Sequence, residues 1–188
     1  MRSLLLFGGS FDPVHAGHLI LARAALQQLK ADACLFIPCA QSADGKRLAP
    51  AQLRLAFLKR ALRGQPGLKV WDGELKRGGV SRTIDTVREL ARPGLKLWVL
   101  MGADQYARLS TWKDVAALKR LASIAVFGRG ALAAGAVRLQ APLLDLSSTQ
   151  VRARLRAQKP CFSMLPAGLE RFSLIKRAYR APALPKAA

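Results

Sequence analysis

Two histidines three residues apart, His15 and His18, follow a glycine turn, Gly8-Gly9-Ser10-Phe11-Asp12-Pro13, and the 188 residues hold no other histidine. Glycines let a backbone approach an anion closely, and a helix N-terminus adds N–H groups and the positive end of a dipole. Residues i and i+3 share a helix face, so two imidazoles at this spacing can address one phosphate. A polar turn with a helix cap, or a two-ligand metal site, are the plainer readings of the pair. No H-E-x-x-H or C-x-x-C accompanies it, so no protein-held metal is expected. The turn also lacks the spacings G-x-x-x-x-G-K-[ST] and G-x-G-x-x-G, so it is neither common phosphate-loop fingerprint.

A second cluster stands late in the chain: Leu146-Ser147-Ser148-Thr149-Gln150-Val151-Arg152. Ser147 or Ser148 is a natural N-cap for a helix over 149–158, whose first turn can take a further phosphate. Val151 and Leu155 lie one turn apart and can face the core. Arg152 lies beside that face, where a guanidinium can grip phosphate oxygens bidentately. Alone, the segment reads as an ordinary capped basic helix.

Together the two clusters carry a resemblance. Ser10-Phe11-Asp12-Pro13-Val14-His15-Ala16-Gly17-His18 resembles the (T/S)-x-x-H-x-G-H signature of the nucleotidylyltransferase superfamily, and Ser147-Ser148-Thr149-Gln150-Val151-Arg152 resembles its late S-S-T-x-I-R motif. The variant F-D-P-V-H-x-G-H is most similar to the nicotinate-nucleotide adenylyltransferase family. Glu74-Leu75-Lys76-Arg77, Ser81-Arg82-Thr83, Gly102-Ala103-Asp104 and Ser110-Thr111-Trp112 resemble that family's E-L-K-R, S-Y-T, G-x-D and P-T-W elements. The resemblance implies a Rossmann-like α/β fold and transfer of AMP from ATP, with Mg²⁺, to nicotinate mononucleotide.

The implied roles follow the motifs. His15, His18 and Arg152 are the expected catalytic residues. Gly8, Gly9, Ser10, Phe11, Lys46, Gly102, Asp104, Arg129, Ser148 and Thr149 are expected on the ATP side. Ser81, Arg82, Thr83 and Trp112 are expected around the pyridine carboxylate and ring. Three departures bear on the acceptor. The family's P-P-H-K is replaced by Gln41-Ser42-Ala43-Asp44-Gly45-Lys46-Arg47, where Lys46 or Arg47 supplies a cation. Arg82 stands where the family has Tyr; an aromatic wall is lost and a charge that attracts a carboxylate is gained. The family's R-P-G is Gly128-Arg129-Gly130, with Arg129 keeping a phosphate or adenosine contact. Nicotinamide mononucleotide or phosphopantetheine as acceptor, or an inactive nucleotide- or RNA-binding protein, are the rival readings.

The elements that must position these residues alternate. Apolar runs suited to buried strands occur at 4–7, 34–38, 68–71, 95–101, 123–127 and 143–146. Between them, 50–63 repeats Leu53, Phe57 and Ala61; 81–91 opens on Ser81 as cap and repeats Ile84, Val87 and Leu90; 113–121 repeats Val115, Leu118 and Leu121. Leu165-Pro166 through Tyr179 resembles the family's closing helix. The alternation predicts a parallel sheet with helices on both faces. One domain is expected over 1–180, with a disordered Pro/Ala-rich tail at 181–188.

Lys and Arg number 31 against 11 Asp and Glu, a net charge of +20. The cations are dispersed and not interleaved with aromatics, so a field that steers polyphosphates is expected, without a specific nucleic-acid partner. Three cysteines form no framework. No run suits a signal peptide or a membrane span, so a cytoplasmic protein is expected, with self-association left open.

Overall fold

The computed structural model describes residues 2–128, 131–142, 145–171 and 173–180. In chain order the elements are β1 (Arg2–Gly9), α1 (Ala16–Leu29), β2 (Ala33–Pro38), α2 (Ala51–Ala61), β3 (Leu68–Val70), α3 (Gly73–Arg77) and α4 (Thr83–Leu90). There follow β4 (Leu95–Gly102), α5 (Ala103–Ala107), a 3-10 turn (Leu109–Thr111), α6 (Val115–Leu121), β5 (Ser123–Phe127), β6 (Ala136–Leu139), α7 (Ser148–Arg156), α8 (Ala167–Glu170) and α9 (Ser173–Arg180).

The strands form one parallel sheet in the order β3-β2-β1-β4-β5-β6. The apolar run of β1 explains its central place. Side chains alternate between faces of a strand, and both faces here are covered: Leu5 is 0 % and Leu6 2 % exposed. Leu5 joins a core with Ala22 of α1, Phe57 and Leu58 of α2, Val151 of α7 and Ile175 of α9. Leu6 joins the opposite core with Ile84 and Val87 of α4 and Leu118 of α6. The chain therefore has the α/β architecture, helices on both faces, that the alternation predicts. Strand order reverses direction at β1, which pairs with β2 on one side and β4 on the other. Open parallel sheets bind ligands beyond the carboxyl ends of their strands at such a reversal.

Four expectations need correction. The sixth strand is Ala136–Leu139, and Asp145 and Leu146 lie outside any strand; Leu143 and Leu144 fall outside the described residues. An edge strand has only one neighbour and a partly wet surface. Leu139 is buried while Val137 and Arg138 are exposed, so β6 is less apolar than the run at 143–146. Leu121 is 40 % exposed, and the buried face of α6 is Ala117 and Leu118. Ser81 does not cap α4: Arg82 holds that position, and the Ser81 hydroxyl accepts from the Ala40 N–H at 2.9 Å. The closing helix is broken into α8 and α9. The tail 181–188 lies outside the described residues.

Leu118→Ala should lower stability by about 2–5 kcal/mol through an unfilled cavity. Leu121→Ala should cost about 0.5 kcal/mol or less. Urea unfolding of both variants checks the placement, since the sequence periodicity treats the two leucines alike.

Candidate active site

The turn after β1 is built by close packing. A Cβ on Gly9 would lie 3.2 Å from the Phe11 ring, whereas one on Gly8 would meet nothing within 4 Å. Phe11 has φ 45°, a left-handed conformation that a bulky residue adopts only when its surroundings impose it. Here the surroundings are aromatic: its ring meets Phe7 edge-on at 5.7 Å and is 1 % exposed. The Phe11 ring is therefore core, and only its backbone can meet a ligand.

His15 is the N-cap of α1 and His18 lies one turn inside it. The His15 N–H donates to His18 Nδ1 at 3.1 Å. That bond leaves the proton of neutral His18 on Nε2, where it can be donated to an anion. The rings lie 3.7 Å apart at 34°. The His18 N–H donates to the His15 carbonyl at 3.0 Å, and His15 Nδ1 is buried without a hydrogen-bond partner among the described residues. Burial lowers His15 to about 4. Burial, and next the charge of His15, hold His18 well below its usual value. Both rings are thus neutral donors at pH 7. One N–H of the first turn is already committed, from Ala16 to the Met164 carbonyl at 2.8 Å.

The late cluster is docked on this turn. Ser147 caps α7 with a capping box: the Gln150 N–H donates to Ser147 Oγ at 3.2 Å, and the Ser147 N–H to Gln150 Oε1 at 2.6 Å. Such a box satisfies backbone donors that a helix start leaves open. Val151 and Leu155 face the core as expected. The Ser148 hydroxyl donates to the Pro13 carbonyl at 2.9 Å. Arg152 Nη1 donates to the Asp12 carbonyl at 2.6 Å and Nη2 to Thr149 Oγ1 at 3.2 Å. A guanidinium has five donors, so Arg152 can hold the turn and still grip a phosphate. His15, His18, Ser148, Thr149 and Arg152 are brought together, 130 residues of chain notwithstanding.

Three anchors of this cluster escape the sequence reading. Asp12 is 4 % exposed; its carboxylate accepts from the Tyr179 hydroxyl at 2.6 Å and the Ala49 N–H at 3.2 Å. Burial, and then this bond to Asp12, raise the Tyr179 hydroxyl well above its usual value. Arg54, at 1 % exposed, is the third. Its signal was available: Arg54, Leu58 and Ala61 fall at i, i+4 and i+7, the buried stripe of α2.

The residues expected around the acceptor gather separately. Ser81, Arg82, Thr83 and Trp112 line a cavity of about 250 Å³ with Asp44, Gln105, Arg108 and Lys113. Arg108 Nη2 donates to Asp44 at 3.1 Å and Lys113 Nζ to Asp85 at 3.1 Å. The Arg82 guanidinium makes no hydrogen bond or ion pair among the described residues, while its carbonyl accepts from the Asp85 N–H at 3.1 Å. The loop after β2 borders the cavity: the Gln41 N–H donates to the Gly79 carbonyl at 3.2 Å and the Ser81 N–H to the Gln41 carbonyl at 3.1 Å. Lys46 is solvated and lies 3.7 Å from Asp44.

Gly102 ends β4, beside the end of β1, and Asp104 opens α5 as an exposed carboxylate. A Cβ on Gly102 would stand 2.5 Å from Asp104 Oδ1, an exposed side-chain atom that would have to swing aside. Arg129 lies outside the described residues. Cys34 is a buried core residue, as expected. Cys39 borders the site, and burial raises its thiol, the reverse of what a nucleophile needs.

A phosphate turn with paired imidazoles, a capped helix and an arginine, at the reversal of a parallel sheet, is the construction of a nucleotide-handling transferase. The model of the cytidylyltransferase-like family matches residues 6–154, and the chain belongs to that family of nucleotidyltransferases. Its relatives narrow the branch to the nicotinate-nucleotide adenylyltransferases. A probable nicotinate-nucleotide adenylyltransferase of Methylibium petroleiphilum is 40% identical over 88% of this chain and 84% of the relative. One from Bordetella petrii is 38% identical over 96% of this chain and 100% of the relative. The fold is also that of the Plasmodium falciparum nicotinic acid mononucleotide adenylyltransferase complexed with NaAD, with TM-score 0.73 and 16% identity over 95% of this chain and 98% of that one.

The histidines set a pH dependence of stability. Unfolded His15 titrates near 6.5 and folded His15 near 4. Between those values the unfolded chain holds more protons, so the contribution is complete above 6.5 and lost as pH falls. From pH 7 to 4.5, His15→Gln should lose about 2 kcal/mol less stability than the parent. Urea midpoints at the two pH values measure this, and equal losses would refute neutral burial.

Proposed function

We propose that this chain transfers the adenylyl group of MgATP to nicotinate mononucleotide, giving the deamido dinucleotide and pyrophosphate. The observation that carries the reading is the pairing of two sites along the carboxyl edge of the sheet. One is a phosphate cradle of neutral imidazoles; the other is a cavity with a flat indole and a guanidinium, that of Arg82, unpaired among the described residues. The names of the relatives point the same way.

The 5′-phosphate oxygen of the acceptor attacks the α-phosphorus in line; that bond forms as the bond to the bridging oxygen of pyrophosphate breaks. Protein catalysis of such a step is chiefly positioning and charge stabilisation. His18, with its proton on Nε2, and His15 donate hydrogen bonds to α-phosphate oxygens, beside the backbone amides of residues 9–11. Ser148 and Thr149 at the start of α7, with Arg152, hold the departing β- and γ-phosphates. The Ser148 hydroxyl proton is committed to Pro13, so its backbone N–H does this work. Gly102 and Asp104 lie on the adenosine side. Mg²⁺ would come as part of the MgATP substrate and would neutralise phosphate charge, with no protein carboxylate or histidine cluster to hold it among the described residues. Trp112 stacks on the pyridine ring, and Arg82 with the amides of residues 81–83 binds its carboxylate.

Purified protein with MgATP should release pyrophosphate with nicotinate mononucleotide and not with phosphopantetheine. His18→Ala should lower kcat by about 10²–10³, as loss of one transition-state donor does, in a protein whose circular dichroism is unchanged. Arg82→Met should raise the KM for nicotinate mononucleotide by about tenfold or more and leave that for nicotinamide mononucleotide almost unmoved. Equal effects on both acceptors would remove Arg82 from carboxylate recognition.

A further inference from the structure

Arg54 is buried to 1 % exposure on α2 and makes no ion pair among the described residues. An unpaired buried charge is costly unless hydrogen bonds replace its water. Carbonyl oxygens do so here. Nε donates to Ala49 at 2.9 Å, Nη1 to Ser10 at 2.8 Å, and Nη2 to Cys39 at 2.8 Å and more weakly to Ala40 at 3.5 Å.

The peptide units behind these carbonyls face the two halves of the site. The Ser10 carbonyl shares its peptide with the Phe11 N–H, in the phosphate turn. The Cys39 carbonyl shares its peptide with the Ala40 N–H, which donates to Ser81 Oγ at 2.9 Å. The Ala40 carbonyl shares its peptide with the Gln41 N–H, which donates to the Gly79 carbonyl at 3.2 Å. One guanidinium therefore grips the back of the phosphate turn and the back of the turn whose amides hold Ser81 and Gly79, Ser81 lying on the wall of the second cavity. A cation on a carbonyl also polarises the N–H of the same peptide and makes it a better donor.

We propose that Arg54 is a positioning residue of the transfer reaction: its planar fork fixes the spacing between the phosphate turn and the acceptor turn. The proposal rests on the adenylyl-transfer reading. In-line attack needs reacting atoms about 3–3.5 Å apart, and a displacement of about 1 Å can cost about 10²-fold. Lysine keeps the charge but is a point donor on a flexible stem, and cannot reproduce a planar fork.

The test is Arg54→Lys, assayed for kcat, for KM of each substrate and for urea midpoint, beside Leu58→Ala as a destabilised control on the same helix. Parent turnover in the same assay checks the underlying reading separately. The expected result is a fall in kcat of about 30-fold or more, KM values within about fivefold, and a control that keeps its kcat. A kcat within about threefold of the parent, a change confined to KM, or an equal loss in the control overturns the proposal. If Arg54→Lys does not fold, the parent protein decides. Its Arg54 Nε–H resonance should shift on adding Mg²⁺ with α,β-methylene-ATP, and separately on adding nicotinate mononucleotide. A response to one ligand alone, or to neither, overturns it.

Discussion

A turn leaving a buried strand carries carbonyl and amide groups that neither ladder nor helix can pair, and inside a protein each must find a partner. The site of this chain is shaped by how those groups are satisfied. Side chains from α2, α7 and α9 reach into residues 10–13: Arg54 to the Ser10 carbonyl, Arg152 to the Asp12 carbonyl, Ser148 to the Pro13 carbonyl and Tyr179 to the Asp12 carboxylate. Each contact is an ordinary hydrogen bond. Together they leave the turn one conformation, and the histidines that follow inherit its precision.

The electrostatics divide between long range and short. The net charge of +20 belongs to a dispersed surface and acts through space on any polyphosphate. The imidazoles do not add to it, because burial keeps them uncharged. A neutral donor can strengthen its bond as charge develops on phosphorus without having gripped the ground state as tightly, which is the condition for lowering a barrier. The cavity beside Trp112 uses the opposite device. Asp44 and Asp85 occupy Arg108 and Lys113, and the Arg82 guanidinium on the same wall has no such partner among the described residues.

What the sequence disclosed was mostly local. The strand, turn and paired histidines are consecutive, and so is the capped start of α7; both were readable because turn and cap chemistry acts over a few residues. The central strands were readable because burial on both faces leaves an unbroken apolar run. β6 was not, since an edge strand is half polar and the nearby leucines at 143–146 mimicked a buried one. Ser81 looked like a cap because Ser before a helix usually is one, yet its hydroxyl serves an amide 41 residues away. Arg54 was hidden by its type. Charge assigns an arginine to solvent, and only its phase with Leu58 and Ala61 betrays a buried face. Asp12 and Tyr179 are partners across 167 residues, beyond any local pattern.

That separation has a consequence for how the protein comes into being. A ribosome releases residue 12 long before residue 179. During that interval the nascent chain can pair its early strands, but Ala16 lacks the Met164 carbonyl and Asp12 lacks the Tyr179 hydroxyl. Two of the bonds that hold the turn therefore depend on segments made about 150 residues after it.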